Sequence, residues 1–242
     1  MRMIDVPIKN QELLDILDEW VWFYDNREDV EKYIKLKGSN QDMSKWTCEE
    51  HRDAIVMEGV QHEGYPECLR GYTLEAHKIL NHNLRREFIV DYQNEGDEAE
   101  TRANEFILKA AKKYSEINQK LGNLLVMKNN ALAALYPPEG FISWHNNANA
   151  SAYNFIFTWS ETGDGCFKYI DADTGEEVIL QDRKGWNCKA GYFGSYEEHQ
   201  SSICYHAAET KCWRLTLGYM LDRSSFALGM QEDIIAEISG DF

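Results

Sequence analysis

Two histidines and an arginine in the second half of the chain carry the chemistry that the sequence predicts. His145 and His206 each end a strand-like segment, and Arg214 follows the second histidine by eight residues. Non-haem iron sites use two histidines and one carboxylate on one face of the metal and leave the other positions open. The planar fork of a guanidinium group matches a carboxylate. We therefore predict a metal site beside an anion site.

Arg214 lies in a segment whose side chains alternate in character. In Trp213-Arg-Leu-Thr-Leu-Gly-Tyr219, Arg214, Thr216 and Gly218 share one face of a strand. An inward-facing arginine is costly to bury unless it meets an anion, so this face predicts an anion-binding position. The alternative is an arginine on the solvent face of an edge strand, paired with an Asp or Glu side chain.

The length and composition of the chain limit its class. With 242 residues it is long enough for one large domain or for a domain with an extension, and 43% hydrophobic residues allow a substantial core. The net charge of −16 opposes non-specific nucleic-acid binding, because contacts to phosphates require Lys and Arg. We therefore expect a small-molecule or peptide substrate and no nucleic-acid partner.

The sequence does not predict a secreted or membrane protein. The first residues lack the apolar core of a signal peptide, and no apolar run approaches the ~20 residues of a membrane span. The six cysteines include no Cys-x-x-Cys pair and are expected to be reduced thiols. These features predict a cytoplasmic protein and carry no information on its oligomeric state.

The chain changes character near residue 122. Residues 1–122 have helical periodicity, whereas residues 123–242 are rich in short strand-like segments, so we expect a helical N-terminal region packed on a β-rich core domain. Asn10 is a plausible N-cap and Gly122 a plausible helix stop. The predicted helices cover residues 12–20, 29–36, 73–84, 98–121 and 226–238.

Turn signals rich in Gly, Pro and Asp divide the second region into about eight strands. The predicted strands cover residues 124–136, 141–145, 153–159, 166–170, 176–181, 187–193, 201–206 and 213–221. This number of short strands predicts a double-sheet jelly roll. Together with the helices before it, the roll predicts an α+β fold with an N-terminal helical layer.

Residues 124–221 resemble the double-stranded β-helix of the Fe(II)- and 2-oxoglutarate-dependent oxygenases. The resemblance is closest to the prolyl-hydroxylase-like branch, which includes members encoded by bacteriophages. That family has a His-x-Asp pair, a glycine-rich turn before an aromatic strand, and a distal histidine followed by an arginine. Here these elements are His145-Asn-Asn147, Gly163-Asp-Gly-Cys-Phe167, His206 and Arg214. The resemblance does not extend to the helical first region.

The resemblance implies a 2-oxoglutarate- and Fe(II)-dependent dioxygenase. Arg214 would hold the distal carboxylate of 2-oxoglutarate, and Thr216 would add a hydroxyl contact. Tyr153 or Asn154 would also reach this cosubstrate. The implied reaction is oxidative decarboxylation of 2-oxoglutarate to succinate and CO2, coupled to hydroxylation of a peptide or small-molecule substrate.

The same resemblance makes His145 and His206 iron ligands and places Asn147 where the family has a carboxylate. The Asn147 amide could ligate iron as a neutral third ligand. The position could instead be a vacancy filled by water or halide, as in halogenase relatives, or the chain could be a non-catalytic, cupin-like binding module. A carboxylate from elsewhere, such as Asp164 or Asp171, could also replace the missing ligand.

Overall fold

The computed structural model describes residues 3–58, 69–92, 95–127, 129–147, 151–194, 203–221 and 229–241. The helices are α1 (Gln11–Asp18), α2 (Trp22–Asp25), α3 (Arg27–Tyr33), α4 (Met43–Trp46), α5 (Glu49–Glu58), α6 (Ala76–Ile79), α7 (Arg85–Phe88), α8 (Asp97–Leu125) and α9 (Gln231–Ser239), with a 3₁₀ turn at Glu19–Val21. The strands are β1 (Ile4–Val6), β2 (Leu36–Lys37), β3 (Leu69–Thr73), β4 (Asn129–Tyr136), β5 (Gly140–His145), β6 (Ala152–Ser160), β7 (Gly165–Ile170), β8 (Glu177–Gln181), β9 (Gly185–Phe193), β10 (His206–Thr210) and β11 (Arg214–Leu221).

Strands β4 to β11 form two antiparallel sheets that pack face to face. The larger sheet has the order β9-β6-β11-β4, with β1 on the outer side of β9, and the smaller sheet has the order β5-β10-β7-β8. Except for β7 and β8, strands that follow one another in the chain lie in opposite sheets. The fold is therefore a jelly-roll β-sandwich with helices. Seven of these eight strands lie largely where the sequence predicts them, whereas β10 shares only His206 with the predicted strand 201–206.

Strand β3 joins the two sheets along one side. Tyr72 pairs with Leu135 of β4, while Leu69 pairs with Ile142 of β5. The strand thus belongs to both sheets and nearly closes the sandwich into a barrel. The sequence pattern did not predict β1, β2 or β3, which all lie in the region expected to be helical.

Helices cover the outer face of the larger sheet. Phe155 and Phe157 of β6 and Leu215 and Leu217 of β11 are fully buried in one apolar cluster with residues of α1 and α8. Helix α8 contributes an apolar stripe at helical spacing, which comprises Ala103, Phe106, Ile107, Ala110, Ala111, Tyr114, Ile117, Leu121 and Leu125. The predicted helical layer is confirmed here.

The inside of the sandwich has its own, smaller apolar cluster. Ile156 of the larger sheet packs there with Phe167 and Ala208 of the smaller sheet. The outer face of the smaller sheet is covered by α5, where Ile55 packs against Trp144. Because successive strand residues point to opposite faces, each strand supplies both an inner and an outer layer.

The predicted helix at 73–84 is wrong for most of its length. Residues up to Thr73 form β3, and only Ala76–Ile79 is helical. Leu74 is fully buried, and its N–H donates to the carbonyl of Ala133, whereas Leu80 is 50% exposed. Pairing with β4 therefore overrides the local helical spacing.

Helix α8 continues past the predicted stop at Gly122 and ends at Leu125. Val126 takes the left-handed conformation with φ of 54°. A Cβ on Gly122 would lie 3.0 Å from the carbonyl oxygen of Met127. Gly122 thus makes room for the chain as it leaves the helix, and it is not a left-handed cap. The N-cap prediction is confirmed, since the side chain of Asn10 accepts a hydrogen bond from the N–H of Leu13.

Other predicted boundaries differ by a few residues. The predicted strand 201–206 falls partly outside the described residues, and strand β10 begins at its last residue, His206. The predicted helix 29–36 corresponds to α3, and its last residue belongs to β2. The predicted helix 226–238 begins outside the described residues and corresponds to α9.

Five of the six cysteines lie within the described residues and are free thiols: Cys48, Cys166, Cys188, Cys204 and Cys212. Cys68 lies outside the described residues. Within the part of the chain that the structure describes, no helix is both long enough and apolar enough to cross a bilayer.

Candidate functional site

Strands β5 and β10 bring the two predicted histidines together. His206 pairs with His145 across the two strands, and the centroids of the two imidazole rings are 4.0 Å apart. The register shifts just after this pair, between His206 and Ala208. Such an irregularity re-aims side chains next to functional sites. Residues 61 positions apart in the sequence thus form one imidazole pair.

Both imidazoles make the same hydrogen bond to the backbone. His145 Nδ1 lies 2.7 Å from the carbonyl oxygen of Ser143, and His206 Nδ1 lies 2.9 Å from the carbonyl oxygen of Cys204. Each acceptor is the carbonyl two residues earlier in the chain. A neutral imidazole has a single N–H, so donation from Nδ1 assigns the lone pair to Nε2. Metal-binding histidines have the same arrangement, in which one ring N–H donates to a backbone carbonyl and leaves the other nitrogen for the metal.

Burial keeps the two rings neutral. Desolvation lowers the pKa of His145, although the backbone carbonyls of Ser143 and His206 oppose this shift. Desolvation, and then the neighbouring His145, lower the pKa of His206 well below its usual value. The rings of Phe193 and Phe167 lie against His206, with centroids 4.5 and 5.6 Å away. Neutral imidazole is the form that ligates a metal.

A cavity of about 200 Å³ lies between the two sheets beside the histidines. Its wall includes both imidazoles and Arg214, so that two potential ligands and one cation face a common space. The other lining residues are Leu132, Tyr136, Ile142, Asn147, Asn154, Ile156, Phe167, Phe193, Ala208, Thr216 and Gly218.

Arg214 is buried and held by three hydrogen bonds. Its Nε donates to Asp182 Oδ2 at 2.7 Å, Nη1 donates to Thr216 Oγ1 at 2.6 Å, and Nη2 donates to Thr158 Oγ1 at 3.3 Å. A guanidinium has five N–H donors, so one N–H on Nη1 and one on Nη2 are not used by these bonds. Arg214 is buried on a central strand, so the predicted inward orientation is confirmed and the edge-strand part of the alternative is wrong. The Asp partner that the alternative expected is nevertheless present as Asp182.

Asp182 also binds a second buried cation. Lys189 Nζ lies 2.8 Å from Asp182 Oδ1, and the two side chains are 1% and 0% exposed. Although burial raises the pKa of Asp182, the charges of Arg214 and Lys189 outweigh this effect and lower it. Asp182 and Lys189 were not predicted as site residues from the sequence. Lys189 shares the face of β9 defined by Asn187 and Gly191, so its inward position was detectable from strand alternation.

Tyr136 was also missed, and it presents an unused polar atom to the cavity. The side chain is 1% exposed and lines the cavity. Its hydroxyl has no hydrogen-bond partner among the described residues. Burial raises the pKa of Tyr136 to about 12, and the charge on Arg214 opposes this shift. Because an unsatisfied buried hydroxyl is costly, such an atom indicates a missing partner.

The remaining predicted site residues divide into two groups. Asn147, Asn154 and Thr216 line the cavity with the histidines. Tyr153 does not, because it lies on the other face of β6 and packs in the apolar cluster under the helices. Adjacent strand residues point to opposite faces, so Tyr153 and Asn154 cannot both reach one cavity.

The two carboxylates considered as replacement ligands are not in the cavity wall. Asp164 is exposed, and Asp171 accepts a hydrogen bond from the N–H of Asp173. Within the described ranges, no three His, Cys, Asp or Glu side chains form a cluster that could hold a metal. The site therefore offers two imidazoles, with the Asn147 amide as a further oxygen donor on the same cavity.

The sequence matches no known protein family and no curated protein. Among solved structures, the chain is similar to a prolyl-4-hydroxylase from Pseudomonas putida, with 14% identity over 90% of this chain and 91% of that one and a TM-score of 0.39. It is also similar to a predicted oxalate decarboxylase from Thermotoga maritima, with 14% identity over 38% of this chain and 66% of that one and a TM-score of 0.22.

Proposed function

We propose that this protein is an Fe(II)- and 2-oxoglutarate-dependent oxygenase whose metal is held by His145 and His206. The observation that carries the proposal is the cavity between the sheets, which has two buried imidazoles and one buried arginine in its wall. Neutral nitrogen ligands beside a carboxylate-binding group match a metal site that takes an anionic cosubstrate. The alternation of strands between the two sheets is that of a double-stranded β-helix.

The metal fits the side chains that are present. The two imidazoles, whose Nδ1 atoms donate to backbone carbonyls, would supply two ligands, and the Asn147 amide on the same cavity would supply a third. An amide contributes a dipole where a carboxylate would contribute a charge. We therefore expect the bound metal to keep a higher net charge and to be held less tightly than at a site with a carboxylate ligand.

The cosubstrate fits as well. Arg214 has two unused N–H donors, and the Tyr136 hydroxyl on the same cavity lacks a partner among the described residues. A carboxylate accepts hydrogen bonds from both groups. The volume of about 200 Å³ suits a small organic acid, because drug-sized ligands occupy pockets of ~300–1,000 Å³.

In this proposal the chain supplies binding and orientation. Bound Fe(II) with 2-oxoglutarate and O2 would supply the oxidative chemistry, in which one oxygen atom enters succinate as CO2 is released and the other hydroxylates the substrate. Arg214 and Tyr136 would fix the distal carboxylate, with Thr216 holding the guanidinium in place. Phe167 and Phe193 would exclude water from His206. The hydroxylated substrate would be a peptide or a small molecule.

Anaerobic spectroscopy tests the proposal. Addition of Fe(II) and then 2-oxoglutarate should produce a visible metal-to-ligand charge-transfer band, and oxygen should then yield succinate. The His145→Ala, His206→Ala double variant should give neither signal. Tyr153→Phe is a matched control, because Tyr153 lies on the opposite face of β6, and it should leave both signals intact. A parent protein that binds 2-oxoglutarate without band or succinate would instead be a cupin-like binding module.

A further inference from the structure

The buried charges around Asp182 do not balance. Arg214 and Lys189 contact the two oxygens of one carboxylate, and the three side chains are 2%, 1% and 0% exposed. Two cations and one anion leave a net charge of +1 inside the protein. A buried charge without a counter-ion is unfavourable, so this trio attracts one further negative charge.

The geometry leaves one direction from which that charge can come. Asp182 and Lys189 are not in the cavity wall, whereas Arg214 is. Thr158, the third partner of the guanidinium, is neutral, as is Thr216. Within the described residues, Arg214 has ion-pair contact with Asp182 alone. Among the described residues, Arg214 is therefore the member of the trio that an anion in the cavity can contact.

We propose that Lys189 keeps the Arg214 end of the cavity positive by sharing Asp182, and that this end thereby selects a ligand with a carboxylate group. Without Lys189, Asp182 would neutralise Arg214, and the end of the cavity would carry no net charge. This role rests on the proposed function, because it concerns the ligand of the same cavity. Lys189 acts through Asp182 and is a positioning residue, since it does not line the cavity.

The chemical class of the ligand follows from the charge. One carboxylate brings the ligand and the trio together to neutrality. A neutral amide would leave the +1 charge uncompensated. A phosphate group would place about −1.5 to −2 at neutral pH on the one group that meets Arg214, whereas a carboxylate places −1 there. The Arg214 end is thus matched to a carboxylic acid.

Glutarate is a suitable probe, because it has two carboxylates and lacks the 2-oxo group with which 2-oxoglutarate would chelate a metal. Its affinity for the metal-free full chain should be measured by calorimetry at neutral pH. Glutaramide, the neutral diamide of the same length, should bind at least about tenfold more weakly, because it brings no charge to the trio.

Three variants separate charge from structure. Lys189→Met removes the charge and keeps an unbranched side chain, and we expect about tenfold weaker glutarate binding with an unchanged or higher melting temperature, since a neutral Arg214–Asp182 pair remains. Lys189→Arg should restore most of the affinity. Arg183→Met removes the same charge from the adjacent Arg183–Asp5 pair, whose side chains are 60% and 42% exposed, and should leave the affinity unchanged within twofold.

Two results would overturn the role of Lys189. One is a parent chain that binds glutaramide as tightly as glutarate or binds neither, and the other is a folded Lys189→Met protein with parental glutarate affinity. If Lys189→Met does not fold, Lys189→Gln gives the same test, because it removes the same charge while its amide can still donate a hydrogen bond to Asp182. Charge-dependent glutarate binding without an iron-dependent band would reject the oxygenase function and leave this role standing.

Discussion

Gly165 makes room for the carboxylate of Asp182. A Cβ built on Gly165 would lie 2.8 Å from Asp182 Oδ2 and 3.1 Å from Thr210 Oγ1. The N–H of Asp182 also donates to the carbonyl of Gly165 at 2.8 Å. The glycine that begins β7 therefore allows the close approach that places Asp182 between Arg214 and Lys189.

We expect Gly165→Ala to destabilise the protein by about 1–3 kcal/mol, because the added methyl group would push Asp182 away from its two cations. Thermal unfolding followed by circular dichroism measures this loss. Gly229→Ala is the matched control, since Gly229 has no atom within 4 Å of a built Cβ. Equal melting temperatures for the parent and Gly165→Ala would show that the site accommodates the methyl group.

His145→Ala and His206→Ala should each abolish tight binding of Mn(II). The centroids of the two rings are 4.0 Å apart. Among the described residues, no carboxylate, thiol or further imidazole joins them to make a cluster of three. One remaining imidazole is therefore a poor site. Calorimetric titration with Mn(II) measures the effect. His77→Ala serves as control because His77 is exposed. If either cavity variant binds Mn(II) as tightly as the parent, the substituted histidine is not a metal ligand.

Tyr136→Phe should weaken 2-oxoglutarate binding without destabilising the ligand-free protein. A hydrogen bond to a charged group contributes about 1.5–3 kcal/mol, so we expect a loss of about tenfold or more. The ligand-free variant loses only a hydroxyl that has no partner among the described residues. Tyr219→Phe is the converse control: the Tyr219 hydroxyl donates to Asn118 Oδ1 at 2.9 Å, so its removal should cost about 1 kcal/mol of stability and leave affinity unchanged.

Asn147→Asp should tighten Fe(II) binding by about tenfold, in line with the sensitivity of metal sites to their ligand shell. The carboxylate would add negative charge at a position that already lines the cavity. It should also increase the conversion of 2-oxoglutarate to succinate in the absence of substrate. Metal affinity and succinate formation should be measured side by side in the two proteins. No gain in either would mean that residue 147 is not a ligand.

Because of Asp182, the free energy of unfolding should fall as the pH is lowered in the acid range. The cationic neighbours of Asp182 lower its pKa in the folded state, so the stabilisation is complete above the ordinary Asp pKa of ~3.9 and is lost as the pH falls through the folded value. Near neutral pH, Asp182→Asn should cost about 3–5 kcal/mol, because two buried cations lose their partner.

The difference in unfolding free energy between the parent and Asp182→Asn should therefore shrink below pH 4. Chemical unfolding at a series of pH values measures it. Asp5→Asn, which alters an exposed ion pair, should follow the parent throughout. A difference that stays constant down to pH 2 would show that Asp182 does not change its protonation on unfolding over this range.

The sequence alone placed seven of the eight strands of the roll to within a few residues, and it singled out His145, His206, Arg214 and Thr216, which line the cavity. Strand alternation is a local property, so the inward face of Arg214, Thr216 and Gly218 followed from the order of residue types. His145 ends β5 as the sequence predicts, whereas His206 begins β10 and does not end a strand, so that part of the prediction is wrong. The apolar stripe of α8 predicted the helical layer in the same way, because its spacing matches the helix period.

Only the tertiary structure decided which side chains meet across the sheets. Asp182 lies in a turn that looks solvent-exposed in the sequence, and its burial depends on Gly165, on Lys189 of β9 and on Arg214 of β11. Tyr136 lies in the cavity because β4 and β11 pair in the register that sets it opposite Arg214. Likewise β3 is a strand because β4 and β5 offer it backbone partners. Asp182 and Lys189 are only seven residues apart, but the other pairings join more distant segments, which a local sequence pattern does not report.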